Sequence, residues 1–133
     1  LGVYSFYFDN LHYNLGVQLL NDKYGIQVRG GCSCAGTYGH ILLNVQNDQS
    51  CEIANKISEG NLTSKPGWVR MSIHPTMTDD EVSYIMNAIE YIAKYHKDLA
   101  KDYKYHATTN DFRYKEDIYA QNNKARAKGW FKL

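Results

Sequence analysis

The 133-residue chain lacks most features that mark secreted, membrane or nucleic-acid-binding proteins. Its three cysteines are an odd number, which favours reduced thiols in a reducing compartment over a disulfide framework. No apolar run approaches the ~20 residues that span a bilayer. The formal net charge of +1 gives no bias towards nucleic acid or a membrane surface. These absences predict a cytoplasmic protein with no nucleic-acid or membrane partner.

The first residues, LGVYSFYF, have neither an initiator methionine nor the charged region of a signal peptide. They favour an internal cut in a longer protein, just ahead of a strand. The apolar content of 44% and charged content of 22% are those of a globular protein. The length fits one domain that buries a real core.

Residue patterns along the chain predict an α+β domain. Strands are predicted over GVYSFYF, IQVRGG and KPGWVRMSI. Helices are predicted over LHYNLGVQLLNDKY, QSCEIANKISEG and TDDEVSYIMNAIEYIAKYHKDLA, and GHILLNV is ambiguous. Gly25 is placed to end the first helix, and Thr78 with Glu81 forms a capping box for the last. The order predicts a small three- to four-stranded sheet, antiparallel or mixed, with helices packed on one face.

The chain divides by composition near residue 100. Residues 1–100 carry the predicted strands and helices. Residues 101–133 hold eight Lys/Arg against four Asp/Glu, are rich in tyrosine and show no clear periodicity. We interpret this part as a basic extension that wraps along its own protein or a partner rather than as a nucleic-acid-binding segment.

The stretch RGGCSCAGTYGH, Arg29 to His40, combines glycines with two cysteines one residue apart. Cys32 and Cys34 can be buried thiols, but the surrounding glycines favour a backbone that bends tightly or approaches a ligand. Cys32, Cys34 and His40 can also supply three metal ligands, although the spacing is unlike structural zinc sites and no second pair exists. In a third interpretation a thiolate near Arg29 and His40 acts as a nucleophile. Cys51, on a predicted helix, is interpreted as a core residue.

Two arginines share a position in the predicted sheet. Arg29 and Arg70 each lie on the polar face of a strand, opposite its apolar side chains. This face is either an ordinary solvated surface or a cover for an anionic ligand, since a guanidinium binds a carboxylate through two hydrogen bonds. Trp68 shares the face with Arg70 and favours a covered surface.

GIQVRGGCSCAGTYGH followed by GWVRMSIHPTMTDDEV resembles the C-terminal domain of class V aminotransferase-family enzymes, of the cysteine desulfurase and selenocysteine lyase type. The resemblance covers about residues 1–98. It implies the small α+β domain of a fold-type I enzyme that uses pyridoxal 5'-phosphate and acts on a small amino acid as a homodimer. The Schiff-base lysine and most cofactor contacts would then lie in a large domain upstream, so this chain is expected to be inactive by itself.

The resemblance also implies roles for individual residues. The desulfurase loop pattern falls on residues 29–35, where Cys34 matches the cysteine that takes sulfur from the substrate. Arg70 matches the arginine that holds the substrate α-carboxylate, and Arg29 matches a second active-site arginine. Cys32 is additional to the family pattern; in a locally extended loop it points the same way as Cys34 and can form a disulfide with it, and His40 is a loop anchor or proton carrier. No metal is implied.

Three departures from the desulfurase pattern leave other functions open. Ser33 stands where many desulfurases have histidine, Cys32 is additional, and the continuation AGTYGH differs. The same fold can serve a transaminase or another amino-acid lyase, in which Cys34 is not a nucleophile. A non-catalytic binding module is the further alternative.

Overall fold

The computed structural model describes residues 2–32, 36–115 and 129, and within these it has an α+β fold. The main sheet has three antiparallel strands in the order β1–β3–β2, which are β1 (Gly2–Phe6), β2 (Arg29–Gly31) and β3 (Trp68–Ile73). Its helices are α1 (Tyr13–Tyr24), α2 (Gly36–Leu42), α3 (Asn47–Ser58) and α4 (Asp79–Leu99). A 3₁₀ turn (Ala100–Asp102) leads into a hairpin of β4 (Tyr103–His106) and β5 (Asp111–Tyr114).

The helix ends follow the local sequence signals. Gly25 takes a left-handed conformation (φ 67°) after α1, and its N–H donates to the carbonyls of Leu20 and Asn21. At the start of α4, the Thr78 hydroxyl accepts from the Glu81 N–H, and the Glu81 carboxylate accepts in return from the Thr78 N–H. Both predicted helix boundaries are confirmed.

Helices α1 and α4 cover one face of the sheet and form the core with it. Val69 of β3 and Leu19, Leu20 and Ile92 of the two helices have no exposed surface. Burying each of these side chains contributes roughly 1.5–3 kcal/mol to folding. Along the other face Arg70 is exposed, so the prediction that helices pack on one face holds for α1 and α4.

The hairpin corrects the sequence analysis, which predicted no element after residue 100. Its strands pack along α1, and Tyr103 belongs to the same buried cluster as Leu19. Asn110, in the turn, is buried and donates through Nδ2 to the Tyr13 hydroxyl at 2.7 Å. Residues 103–114 therefore form part of the packed body that the sequence assigned to residues 1–100.

Helix α3 also differs from expectation. It forms where predicted, but none of its residues is buried. Cys51 is exposed, so its interpretation as a core residue is wrong. The apolar residues Ile53 and Ile57 lie one turn apart, as predicted, but the helix has too little contact with the core to bury them.

No helix within the described residues is both long and apolar enough to cross a bilayer.

Candidate functional site

A short polar row crosses the exposed face of the sheet. Arg29 of β2 lies directly opposite Arg70 of β3, and Ser5 of β1 lies directly opposite Arg70 on its other side. Directly opposed residues in antiparallel strands have Cα atoms about 4.5–5.5 Å apart and point to the same face. All three residues are exposed. The sheet therefore presents a hydroxyl and two guanidinium groups side by side.

The two arginines are not neutralised by an acidic partner in the described part of the chain. The ion pairs found there join Lys56 to Glu52, Lys101 to Asp98, and Arg113 to Asp111. Like charges directly opposite each other in a sheet cost roughly 0.2–1 kcal/mol. An anion that contacts both guanidinium groups would reverse this repulsion, so the row suits a carboxylate or another small anion.

Close packing explains two of the nearby glycines. A Cβ atom at Gly30 would lie 2.6 Å from Oδ1 of Asn14, so glycine there allows α1 to approach β2. A Cβ atom at Gly39 of α2 would lie 3.1 Å from the Trp68 ring and 3.2 Å from the Cys32 sulfur. The glycines Gly30, Gly31 and Gly36 were expected to allow bending or ligand approach; Gly30 instead serves packing between elements, whereas Gly31 has a positive φ of 117°.

Trp68 stands at the end of the polar face and is buried, as its position beside Arg70 indicated. Gly39 of α2 packs against its ring. Trp68 and α2 therefore cover the end of the polar face beside Ser5, Arg70 and Arg29, which we call the arginine row.

The surroundings of Cys32 favour the thiol over the thiolate. Its sulfur donates to the Pro66 carbonyl at 2.8 Å, and the residue is half-buried. Burial raises the pKa of the Cys32 thiol, although the nearby Lys65 ammonium opposes the shift. A raised pKa reduces the thiolate fraction at neutral pH, so the surroundings of Cys32 do not activate it as a nucleophile.

His40 lies on α2, and its side chain contacts α3. Its Nδ1 shares a hydrogen bond of 2.8 Å with the Ser50 hydroxyl. This contact joins the two helices, and the anchoring role considered for His40 stays a prediction. The other role, as a proton carrier, has no contact that supports it among the described residues.

Cys34, the expected nucleophile, lies outside the described residues, as do Ser33 and Ala35. No group of three potential metal-ligating side chains occurs among the residues that the structure describes. Cys32 and His40, two of the three ligands considered from the sequence, are bonded to different partners.

Ser5 is the member of the row that the sequence analysis did not single out. Its only signal was its place in the alternation of Val3, Ser5 and Tyr7 along one face of a strand. That pattern gives the face but not the partner, because the register between β1 and β3 depends on tertiary packing.

No protein-family model, curated protein or solved structure matches this chain.

Proposed function

We propose that this chain is the small domain of a pyridoxal-phosphate enzyme of the class V aminotransferase type that removes sulfur from cysteine. The observation that carries the proposal is the direct pairing of Arg29 with Arg70 on an exposed sheet face. Both arginines belong to the two motifs that resemble the desulfurases. In such an enzyme this domain works in the cytoplasm as part of a homodimer.

The described residues fit a domain that closes a cofactor site rather than one that holds the cofactor. Every described lysine is exposed except Lys56, which is half-buried and paired with Glu52. In this proposal the lysine that binds pyridoxal phosphate lies in a large domain outside this chain, as the resemblance implies. When bound, the cofactor supplies an electron sink that weakens the bond to the substrate's sulfur.

This chain contributes substrate binding and the sulfur acceptor. Arg70 binds the α-carboxylate of cysteine through its two-pronged guanidinium, and Arg29 adds a second positive charge beside it. Ser5 offers a hydroxyl at the other side of Arg70. The Cys34 thiolate attacks the substrate sulfur, which leaves carbon and becomes the outer sulfur of a persulfide. The carbon fragment takes a proton and departs as alanine, so cysteine and one thiol yield alanine and one persulfide.

The test uses the enzyme that contains this chain, with cysteine as substrate. We expect mass spectrometry to find one added sulfur on Cys34 and a Cys34→Ser variant to lose sulfur transfer while it still binds cofactor. Cys51→Ser is the matched control, because Cys51 is an exposed thiol on α3 outside the motif. Cys32→Ser should retain most activity. Full turnover in Cys34→Ser would refute the nucleophile assignment.

A second function is favoured by the surroundings of Cys32 and His40. Burial raises the pKa of the Cys32 thiol, and His40 Nδ1 is bonded to the Ser50 hydroxyl, so these contacts do not activate Cys32 as a nucleophile. A transaminase or another amino-acid lyase needs the arginine row but no thiolate. In that case the enzyme would convert amino acids without producing a persulfide, and Cys34→Ser would leave its turnover unchanged.

A further inference from the structure

Strand β2, which carries Arg29, has few side chains of its own to hold it in place. It is three residues long, and two of the three, Gly30 and Gly31, have no side chain. Glycine inside a strand weakens the strand, because it packs against nothing and has more backbone freedom to lose. The position of Arg29 opposite Arg70 therefore depends on the surface against which these glycines lie.

That surface is the start of α1, where the Tyr13 ring contacts the backbone of both strands. A Cβ atom at Gly30 would lie 3.0 Å from Cδ2 of Tyr13, and one at Gly67 would lie 2.7 Å from its Cε1. Gly67 directly precedes β3, and the same added Cβ atom would lie 2.9 Å from the Cα of Gly31. One aromatic ring therefore supports β2 and the start of β3 where the two strands meet.

The Tyr13 ring is itself fixed by two contacts. The Asn110 side chain, in the hairpin turn, donates to the Tyr13 hydroxyl at 2.7 Å, and the His12 ring stacks on the Tyr13 ring with centroids 4.5 Å apart. Tyr13 is only 6% exposed, so water has little access to replace these contacts. A movement of the ring would leave a buried hydrogen bond unmade, which is unfavourable.

We propose that Tyr13 is a positioning residue for Arg29, and that Asn110 fixes it for this role. Adjacent residues of a strand point to opposite faces, so the ring supports Gly30 from the helix side while Arg29 faces outward beside Arg70. This support keeps β2 against β3 and keeps both guanidinium groups within reach of one anion. The hairpin thus acts on the arginine row from the helix-covered side of the sheet. This role of Tyr13 rests on the anion binding proposed for that row.

Acetate binding to the full chain, followed by NMR of the arginine side chains, tests this role. In the wild type, saturating shifts of the Arg29 and Arg70 Nε–H signals measure the affinity of the row, and Arg113, paired with Asp111, gives the reference signal. We expect Tyr13→Phe, which keeps the ring but removes the hydroxyl, to weaken acetate binding by about threefold or more. In an Arg29→Gln background the same change should have no further effect on the Arg70 signal, because Tyr13 acts through Arg29.

Tyr103→Phe is the matched control, because Tyr103 is also 6% exposed and its hydroxyl also joins the hairpin to α1. That hydroxyl donates to Asp22 Oδ2 at 2.9 Å, and Tyr103 is not among the closest neighbours of a Cβ atom at Gly30 or Gly67. The control should leave acetate binding unchanged. An equal loss in Tyr103→Phe and Tyr13→Phe would overturn the proposal, because loosening of the hairpin would then explain both.

The remaining outcomes separate the role of Tyr13 from the function of the arginine row. Wild-type acetate affinity in Tyr13→Phe would overturn the role of Tyr13 and leave the row as an anion site. A further loss in the Arg29→Gln background would also overturn it, because the effect would then not pass through Arg29. If the wild type shows no saturating shift, the row binds no carboxylate, and both this role and the proposed function fail.

Discussion

At the scale of single residues, the charge of the arginine row matters most. Arg29 and Arg70 lie opposite each other, and neither has an acidic neighbour in the described chain. An anion bound by one guanidinium group is therefore also attracted by the other. Lysine at either position keeps the charge but offers a single point contact in place of a planar fork.

We therefore expect Arg70→Lys to lower kcat/KM for a carboxylate-bearing substrate by roughly tenfold or more, or about 1.4 kcal/mol of transition-state stabilisation. The measurement is steady-state kinetics on the enzyme that contains this chain. Arg113→Lys is the matched control, since Arg113 is exposed on β5 and paired with Asp111. Unchanged kcat/KM in Arg70→Lys would show that Arg70 is an ordinary surface charge.

A second prediction concerns the two described thiols. Cys32 has a raised pKa and bonds to Pro66, whereas Cys51 is exposed on α3. Because alkylation requires the thiolate, iodoacetamide should modify Cys32 more slowly than Cys51 at pH 8. Lys65→Ala should slow Cys32 further, because it removes the positive charge that opposes the pKa shift. Peptide mass spectrometry over a time course gives both rates, and equal rates would contradict the prediction.

At the scale of elements, the start of α1 depends on a neutral histidine. His12 Nδ1 accepts a hydrogen bond from the Asn14 N–H at 3.2 Å, so the ring caps the helix only while that nitrogen carries no proton. The ring stacks on Tyr13 and lies beside Tyr105 and Phe112 of the hairpin. Burial in this aromatic setting lowers the pKa of His12 below 6.5.

The lowered pKa predicts a loss of stability in acid. Above pH 6.5 His12 is neutral in both the folded and unfolded chain, so it adds no pH dependence. As the pH falls below 6.5, His12 becomes protonated in the unfolded chain but stays neutral in the folded chain. The free energy of unfolding therefore decreases until the pH passes below the pKa of His12 in the folded chain. His12→Asn keeps a capping side chain without this titration.

Urea unfolding at pH 8 and pH 5 measures the difference. We expect the wild type to lose more stability between these values than His12→Asn does. His74→Asn serves as the control, because His74 is exposed and bonds only locally to Thr76. The same loss in all three proteins would show that His12 is not the titrating group.

At the scale of the whole molecule, Asn110 joins the hairpin to the sheet-and-helix body. Its side chain donates to the Tyr13 hydroxyl at 2.7 Å and accepts from the Tyr105 hydroxyl at 2.9 Å. Its carbonyl accepts from the side chain of Asn14. The residue also adopts a left-handed conformation (φ 55°), which asparagine tolerates better than most residues.

Replacing Asn110 tests both contributions. Asn110→Ala should lower the free energy of unfolding by about 2–4 kcal/mol, because it leaves the hydroxyl groups of buried Tyr13 and half-buried Tyr105 without their partner and strains the backbone. Asn110→Gly removes the same hydrogen bonds but relieves the strain, so it should be about 1 kcal/mol more stable than Asn110→Ala. Chemical denaturation gives both values. A change below about 0.5 kcal/mol in Asn110→Ala would mean that the hydrogen bonds of Asn110 do not stabilise the fold.

The sequence by itself determined the local structure. The Thr78–Glu81 capping box and Gly25 defined helix ends, because those signals act within a few residues. The alternation along WVRMSI assigned Val69 and Met71 to the core face and Arg70 to the open face, because strand side chains alternate whatever the partner.

Only the tertiary structure decided which residues meet. Strand register, which places Ser5 and Arg29 on either side of Arg70, comes from pairing across more than 40 residues and from packing against α1 and α4. The β4–β5 hairpin was missed although Tyr103 and Tyr105 alternate with Lys104, because its strands are short and gain stability only by packing on α1. Cys51 was misplaced for the converse reason. An apolar spacing forms a helix locally, but burial requires a partner surface, and within residues 2–32 and 36–115 none buries a residue of α3.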